Sequence, residues 1–343
     1  MIFSHLKRKH WKEFDVTEYD RDIYPIPLIK KEHLYGYPYG WNKSKNNFID
    51  NIDKKKFPSA SNWTSGIVQA IHCLVVNCNE EEVIPKLPQG KMFSYDFPPS
   101  MIELLELDIN KMDLQNKNWR NKFIKEPHPL VAAFLVSLRK QIKERFNIGE
   151  DKRETYTDKW VTDLLRCLGC DSFKGRFHIN PSEEYSFQVA ESTCKAILDI
   201  RVDDDDLDIL CWFDESKRLN PHHTPHEHHI KSQKVAETLA FANELRDIAK
   251  GRDIEVFCIS AHHTFVNFSH TIVPIAYLDY MAEKGIQELD DPDASIVHKI
   301  HTKRSLDNSI PNGYDITDYN DRKFIIKALW NTFGYIATEG IFR

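Results

Sequence analysis

The order of periodic segments between residues 154 and 273 constrains the fold more than any other feature of the chain. ETYTDKWVTDLLRCLG at 154–169 has helical spacing and a glycine, Gly169, suited to ending it. Two strand-like runs follow, near 173–179 (FKGRFHI) and 185–190 (YSFQVA). KAILDIRV at 195–202 and LDILCWFDESK at 207–217 flank the acidic stretch Asp203–Asp206 and read as an antiparallel hairpin with that stretch as its turn. IKSQKVAETLAFANELRDIAKG at 230–251 sets Ala236, Leu239, Ala240 and Leu245 along one helical stripe. IEVFCIS (254–260) and TFVNFSHTIV (264–273) read as another strand pair. Helices interleaved with strands in this way predict an α/β fold.

The flanks are less regular. Residues 1–65 hold YPIP, YGYPYG and FPSASNWTSG, which read as loops and short elements, followed by an apolar run at 67–76 and a short element at 103–109. HPLVAAFLVSLRKQIKERF at 128–146 is a helix with cations in its last turns, and Asn147–Lys152 makes a plausible boundary. The expected division is an N-terminal region at 1–148, a central domain at 149–299, and a tail with a terminal helix at 300–343. No apolar run reaches the ~20 residues of a membrane span, and MIFSHLKRKHWKEFD lacks the apolar core of a signal peptide. The chain is expected to be intracellular, in cytoplasm or nucleus, with no membrane partner. Seven scattered cysteines, an odd number within apolar segments, argue for reduced thiols over a disulfide framework. Cys167-Leu-Gly-Cys170 has metal-like spacing but no second pair to match it, and reads as two half-buried thiols at a helix end.

Charge is uneven. Residues 1–150 carry 23 Lys and Arg against 19 Asp and Glu, and the remainder carries 23 against 33. That balance excludes a uniformly basic nucleic-acid coat, and an acidic second half is compatible with protein partners.

The stretch with chemistry in it is CWFDESKRLNPHHTPHEHH, 211–229. On a strand, Glu215 and Lys217 share a face while Ser216 points away. A carboxylate there can hold a divalent cation, and an ammonium beside it can stabilise an attacking hydroxide or the charge developing on a phosphate. The preceding Ile209–Phe213 is apolar on both faces, which predicts a central strand with its charged end at the lip of the sheet. Folding the hairpin at the acidic turn brings Asp199 toward the same end, so that two carboxylates can share an ion. Glu154 shares a helical face with Asp158, Val161 and Leu165, and Gln233 opens the next helix on the side of Ala236 and Ala240.

This succession resembles the PD-(D/E)XK, or restriction-endonuclease-like, nuclease superfamily over roughly 150–275. The residues that carry the resemblance are Glu154 on a first helix, Asp199 in AILDI, Glu215-Ser-Lys217 in WFDESK and Gln233 in SQKVAETLA. The helix and hairpin are most similar to nuclease-like domains of fungal and oomycete proteins, including crinkler-type effectors. The resemblance implies a mixed central sheet flanked by helices and metal-dependent phosphodiester hydrolysis of nucleic acid, DNA before RNA. It implies Mg²⁺ or Mn²⁺ held by Asp199 and Glu215, Lys217 assisting the nucleophilic water, Glu154 supporting the metal or water, and Gln233 as an auxiliary. Leu198 stands in place of the proline that names the family, and Glu191 competes with Asp199 for the role of first carboxylate.

Two other readings stay open. A catalytically inactive relative would keep the fold as a binding or effector module. A zinc-dependent hydrolase would use His222, His223, His226, His228 and His229, since imidazole is the usual zinc ligand. Those five fall in a Pro-punctuated loop between the Lys217 strand and the Gln233 helix, and an unpinned loop holds a rigid zinc site poorly. His178, His262, His263 and His270 read as strand-end or turn residues.

Overall fold

The structure is a computed structural model that describes residues 58–63, 67–68, 71, 73–87, 97–123, 125–143, 150–172, 175–204, 211–215, 225–285, 296–305 and 312–343. In chain order the main elements are β1 (Cys73–Asn77), α1 (Glu80–Val83), α2 (Pro99–Glu106), α3 (Lys111–Gln115), α4 (Pro129–Lys143) and α5 (Glu150–Cys167). There follow β2 (Phe177–Val189), β3 (Ser192–Asp204), β4 (Cys211–Glu215), α6 (Pro225–Glu244), α7 (Arg246–Ala249), β5 (Ile254–His262) and β6 (Phe265–Val273). The chain closes with α8 (Ile275–Lys284), β7 (Ile296–His301), β8 (Tyr314–Asp315) and α9 (Tyr319–Glu339). The strands form one mixed sheet in the order β1-β7-β6-β5-β4-β3-β2, with β8 beside β6. β1–β7 and β4–β5 are parallel, and the remaining pairs are antiparallel. Helices flank this sheet, so the α/β class and the mixed sheet both hold.

The 195–202 and 207–217 runs form the antiparallel pair β3–β4, and 254–260 and 264–273 form β5–β6. The two runs expected at 173–179 and 185–190 are instead one strand, β2. Pro181 lies inside it opposite Ile200, which a ladder tolerates because β2 is the outermost strand and one side of it needs no donors. β2 and β3 are joined at Ala190–Glu191, where Ala190 takes a left-handed φ of 51°. The acidic turn also begins later than expected. Asp203 and Asp204 are strand residues opposite His178 and Phe177. Each has an arginine to offset its burial: Arg201 makes a 2.7 Å contact to Asp203, and Arg176 binds the fully enclosed Asp204.

Residues on either side of the boundary expected at 148/149 share one sheet and one hydrophobic core. β1 pairs with β7 more than 200 residues away, and Val131, Phe134, Leu135 and Leu138 of α4 are buried in the same cluster as Trp160, Leu164 and Leu165 of α5. The terminal helix is fastened to the front of the chain by Arg322, whose buried guanidinium donates to the carbonyls of Ile109 (3.1 Å), Ile316 (3.3 Å) and Leu107. Desolvation lowers the Arg322 pKa, and the acidic groups Asp318, Asp108 and Asp315 act against that shift. None of the helices among the described residues is long and apolar enough to cross a membrane.

Candidate functional site

The motif residues converge on the middle of the sheet, where β4 lies between β3 and β5. Burial along β5 is nearly complete from Ile254 to Ala261, as expected of an interior strand. On β3 the even-numbered residues from Ser192 to Asp204 are buried and the odd-numbered ones are exposed or half-buried, so one face meets the core and Asp199, half-buried, belongs to the other. The pairing of β3 with β4 runs Val202–Cys211, Arg201–Trp212 and Ile200–Phe213, and there it ends. Asp199 lies one residue beyond the last pair and Glu215 two residues beyond it. β4 continues against β5, with Asp214 in register with Ser260 and Glu215 with Ala261.

Continued regularly, the β3–β4 ladder sets Asp199 across from Asp214 and Leu198 across from Glu215. In strand alternation Glu215 therefore goes with Phe213 and Ile200, while Asp199 goes with Asp214, Trp212 and Arg201. An ion shared by Asp199 and Glu215 requires the strands to part after Ile200–Phe213. Lys217 lies outside the described residues, as do His222 and His223. Glu191, the alternative first carboxylate, is exposed in the β2–β3 turn, eight residues and about 26 Å of extended strand from Asp199.

Glu154 falls in the second turn of α5, the helix that packs on β3, β4 and β5. Val161 and Leu165 of its face are buried, and Asp158 is half-buried. The indole of Trp160 on the same helix donates to the carbonyl of His263 (3.0 Å), pinning α5 to the turn between β5 and β6. Gln233 is half-buried on α6 and its amide donates to Glu237 Oε1 at 2.7 Å. Glu237 is buried, as is Lys234 one turn before it, on a helix with no solvent face from Lys234 to Ala242. The sequence reading missed this polar turn. Its only signal is two charged residues inside the apolar stripe of QKVAETLA, and a charge on an enclosed helix face demands compensation.

Arg201, two residues from Asp199 on the same face, holds Asp203 through Nε and Nη2 (both 2.7 Å) and Glu183 through Nη1 (2.5 Å), and also donates to the Tyr185 hydroxyl. Its guanidinium is thus engaged by the ribbon formed by β2 and β3. Burial pushes the Asp203 carboxyl upward despite Arg201.

The histidine stretch is placed differently from expectation. α6 begins at Pro225, so His226, His228 and His229 lie in its first turns and not in a loop. Pro is well suited to the first position of a helix, where its missing N–H has no intrahelical partner to lose. His262 ends β5, His263 takes φ 59° in the turn after it, and His178 stands opposite Asp203 on β2. His270 is a mid-strand residue whose Nε2 meets the buried Glu255 at 2.7 Å. Cys167 and Cys170 are fully buried at the end of α5, and enclosure pushes the Cys167 thiol up to about 12. Among the described residues no group of three or more His, Cys, Asp and Glu is arranged to hold a metal. No family model matches the chain, and no curated protein is similar to it.

Proposed function

We propose that the chain is a metal-dependent nuclease of the restriction-endonuclease-like kind, hydrolysing phosphodiester bonds of DNA with Mg²⁺ or Mn²⁺. The observation that carries this reading is the element succession: helix, three antiparallel strands, helix, strand. Glu154 lies on the first helix, Asp199 on the second strand, Glu215 at the end of the third, and Gln233 on the second helix. Asp199 and Glu215 both lie just past the last paired residues of their strands, where backbone groups are freed and a substrate phosphate has room to approach. In this reading carboxylates at the β3–β4 end hold the ion, and Lys217 stabilises the attacking hydroxide and the charge growing on the phosphoryl oxygens. Glu154 supports the ion or water from α5. Gln233 acts through Glu237, since its amide donates there.

One observation favours the inactive relative, a binding module with the same fold: the β3–β4 register places Asp199 and Glu215 in alternate sets. Calorimetric titration with Mn²⁺ beside a nuclease assay, on wild type and Lys217→Ala, separates the two. The nuclease binds the ion in both proteins and cuts DNA only as wild type. The inactive relative cuts DNA in neither form.

A further inference from the structure

We infer that the second ion-holding carboxylate of this site is Asp214 and not Glu215. The inference rests on the nuclease reading above and changes one of its ligands.

The register supplies the first reason. Ile200 pairs with Phe213, and one further step sets Asp199 opposite Asp214. Side chains directly opposite on antiparallel strands have Cβ atoms about 4.5–5.5 Å apart, which suits two carboxylates meeting one ion through oxygens at ~2.1 Å each. Without a cation, like charges placed opposite one another repel. A divalent ion between them reverses the sign of that interaction.

The two sets of residues supply the second reason. The residues that alternate with Glu215 or pair with its set are Leu198, Ile200, Val202, Ile259 and Ala261, all apolar and none more than 4% exposed. Glu215 itself is in register with Ala261, which offers an ion no oxygen. The set containing Asp214 is polar at the same level of the sheet. Asp214 is in register with Ser260, a hydroxyl in an otherwise apolar stretch of β5, and Ser260 is in register with Asn267 on β6. Asp199, Asp214, Ser260 and Asn267 thus form one row across four neighbouring strands. A hard cation and the phosphate it binds need oxygen around them, and an apolar face cannot supply it. Glu215, at the last position of β4, is left to the lip of the sheet beside the segment that leads to Lys217.

The experiment measures Mn²⁺ affinity by calorimetry on the full chain as wild type, Asp199→Asn, Asp214→Asn and Glu215→Gln, with circular dichroism as the folding control. Loss of a direct ligand costs no less than the 10–100-fold typical of outer-shell partners. The expected result is a loss of at least about tenfold in Asp199→Asn and Asp214→Asn, and a change within about twofold in Glu215→Gln. Where Asp214→Asn fails to fold, Asp214→Glu reads the same position: the longer carboxylate alters affinity by at least about threefold if it ligates and leaves it within about twofold if it does not. Retained affinity in a folded Asp214 variant, with loss in Glu215→Gln, overturns this assignment and leaves the nuclease reading standing. Wild type that binds no Mn²⁺ and cuts no DNA overturns both.

Discussion

Acidification should destabilise this protein through one buried imidazole, and the size of the effect follows from its surroundings. His298 on β7 is enclosed, with Nδ1 at 2.7 Å from the Thr271 hydroxyl. Enclosure, helped by the Lys234 ammonium and by His270, lowers its pKa from the ordinary 6.5 to about 3. The folded protein therefore refuses a proton that the unfolded chain accepts. Stability rises with pH between about 3 and 6.5 on this account, and is lost progressively as pH falls below 6.5. At pH 5 the loss is about 1.5 pH units at 1.36 kcal/mol each, or about 2 kcal/mol. Other groups titrate in the same range, so the test is a difference between proteins. Urea unfolding of wild type and His298→Asn at pH 7 and pH 5 should give a wild-type decrease larger than the variant's by about 2 kcal/mol. Equal decreases in the two proteins would refute the reasoning, because His298 would then be no harder to protonate folded than unfolded.

Two other outcomes follow from the geometry. Arg322→Ala removes the guanidinium that binds the carbonyls of Leu107, Ile109 and Ile316, leaving buried acceptors without donors, and should lower unfolding free energy by about 3 kcal/mol or more in urea titration; a loss below about 1 kcal/mol would mean that water replaces it freely. Replacing His222, His223, His226, His228 and His229 together should leave Mg²⁺-dependent cleavage largely intact, since a hard ion on phosphate favours carboxylate oxygen over imidazole; lost cleavage with an unchanged circular dichroism spectrum would move the metal to the imidazoles.

Much of the fold was legible because its central segments are strongly periodic. β3, β4, β5, β6 and the body of α6 fall where alternation and helical stripes set them. The failures have physical causes. Pro181 and the polar residues after it made β2 read as two runs, and only its place at the sheet edge, a tertiary fact, makes it one strand. The first turns of α6 carry histidines and no apolar stripe, so nothing local marks them as helix. The pairing of β1 with β7 joins segments too distant for any local signal.

The site was legible in its residues and not in its register. A ladder shifted by one residue from the observed one would place Asp199 opposite Glu215, as folding the hairpin at Asp203–Asp206 suggests. The observed ladder moves that partner to Asp214, because β3 runs on through Asp203 and Asp204, each stabilised by its arginine. A one-residue change of register exchanges the two faces of a strand, and no composition or motif fixes it.

The central claim is hydrolysis of DNA by a metal ion held at the parted ends of β3 and β4. Its most direct test is incubation of supercoiled and linear DNA with the purified full chain in Mg²⁺, in EDTA, and with Asp199→Asn in Mg²⁺. Cleavage by wild type in Mg²⁺ alone is the predicted result. Intact DNA in all three reactions, or cleavage that Asp199→Asn retains, would contradict it.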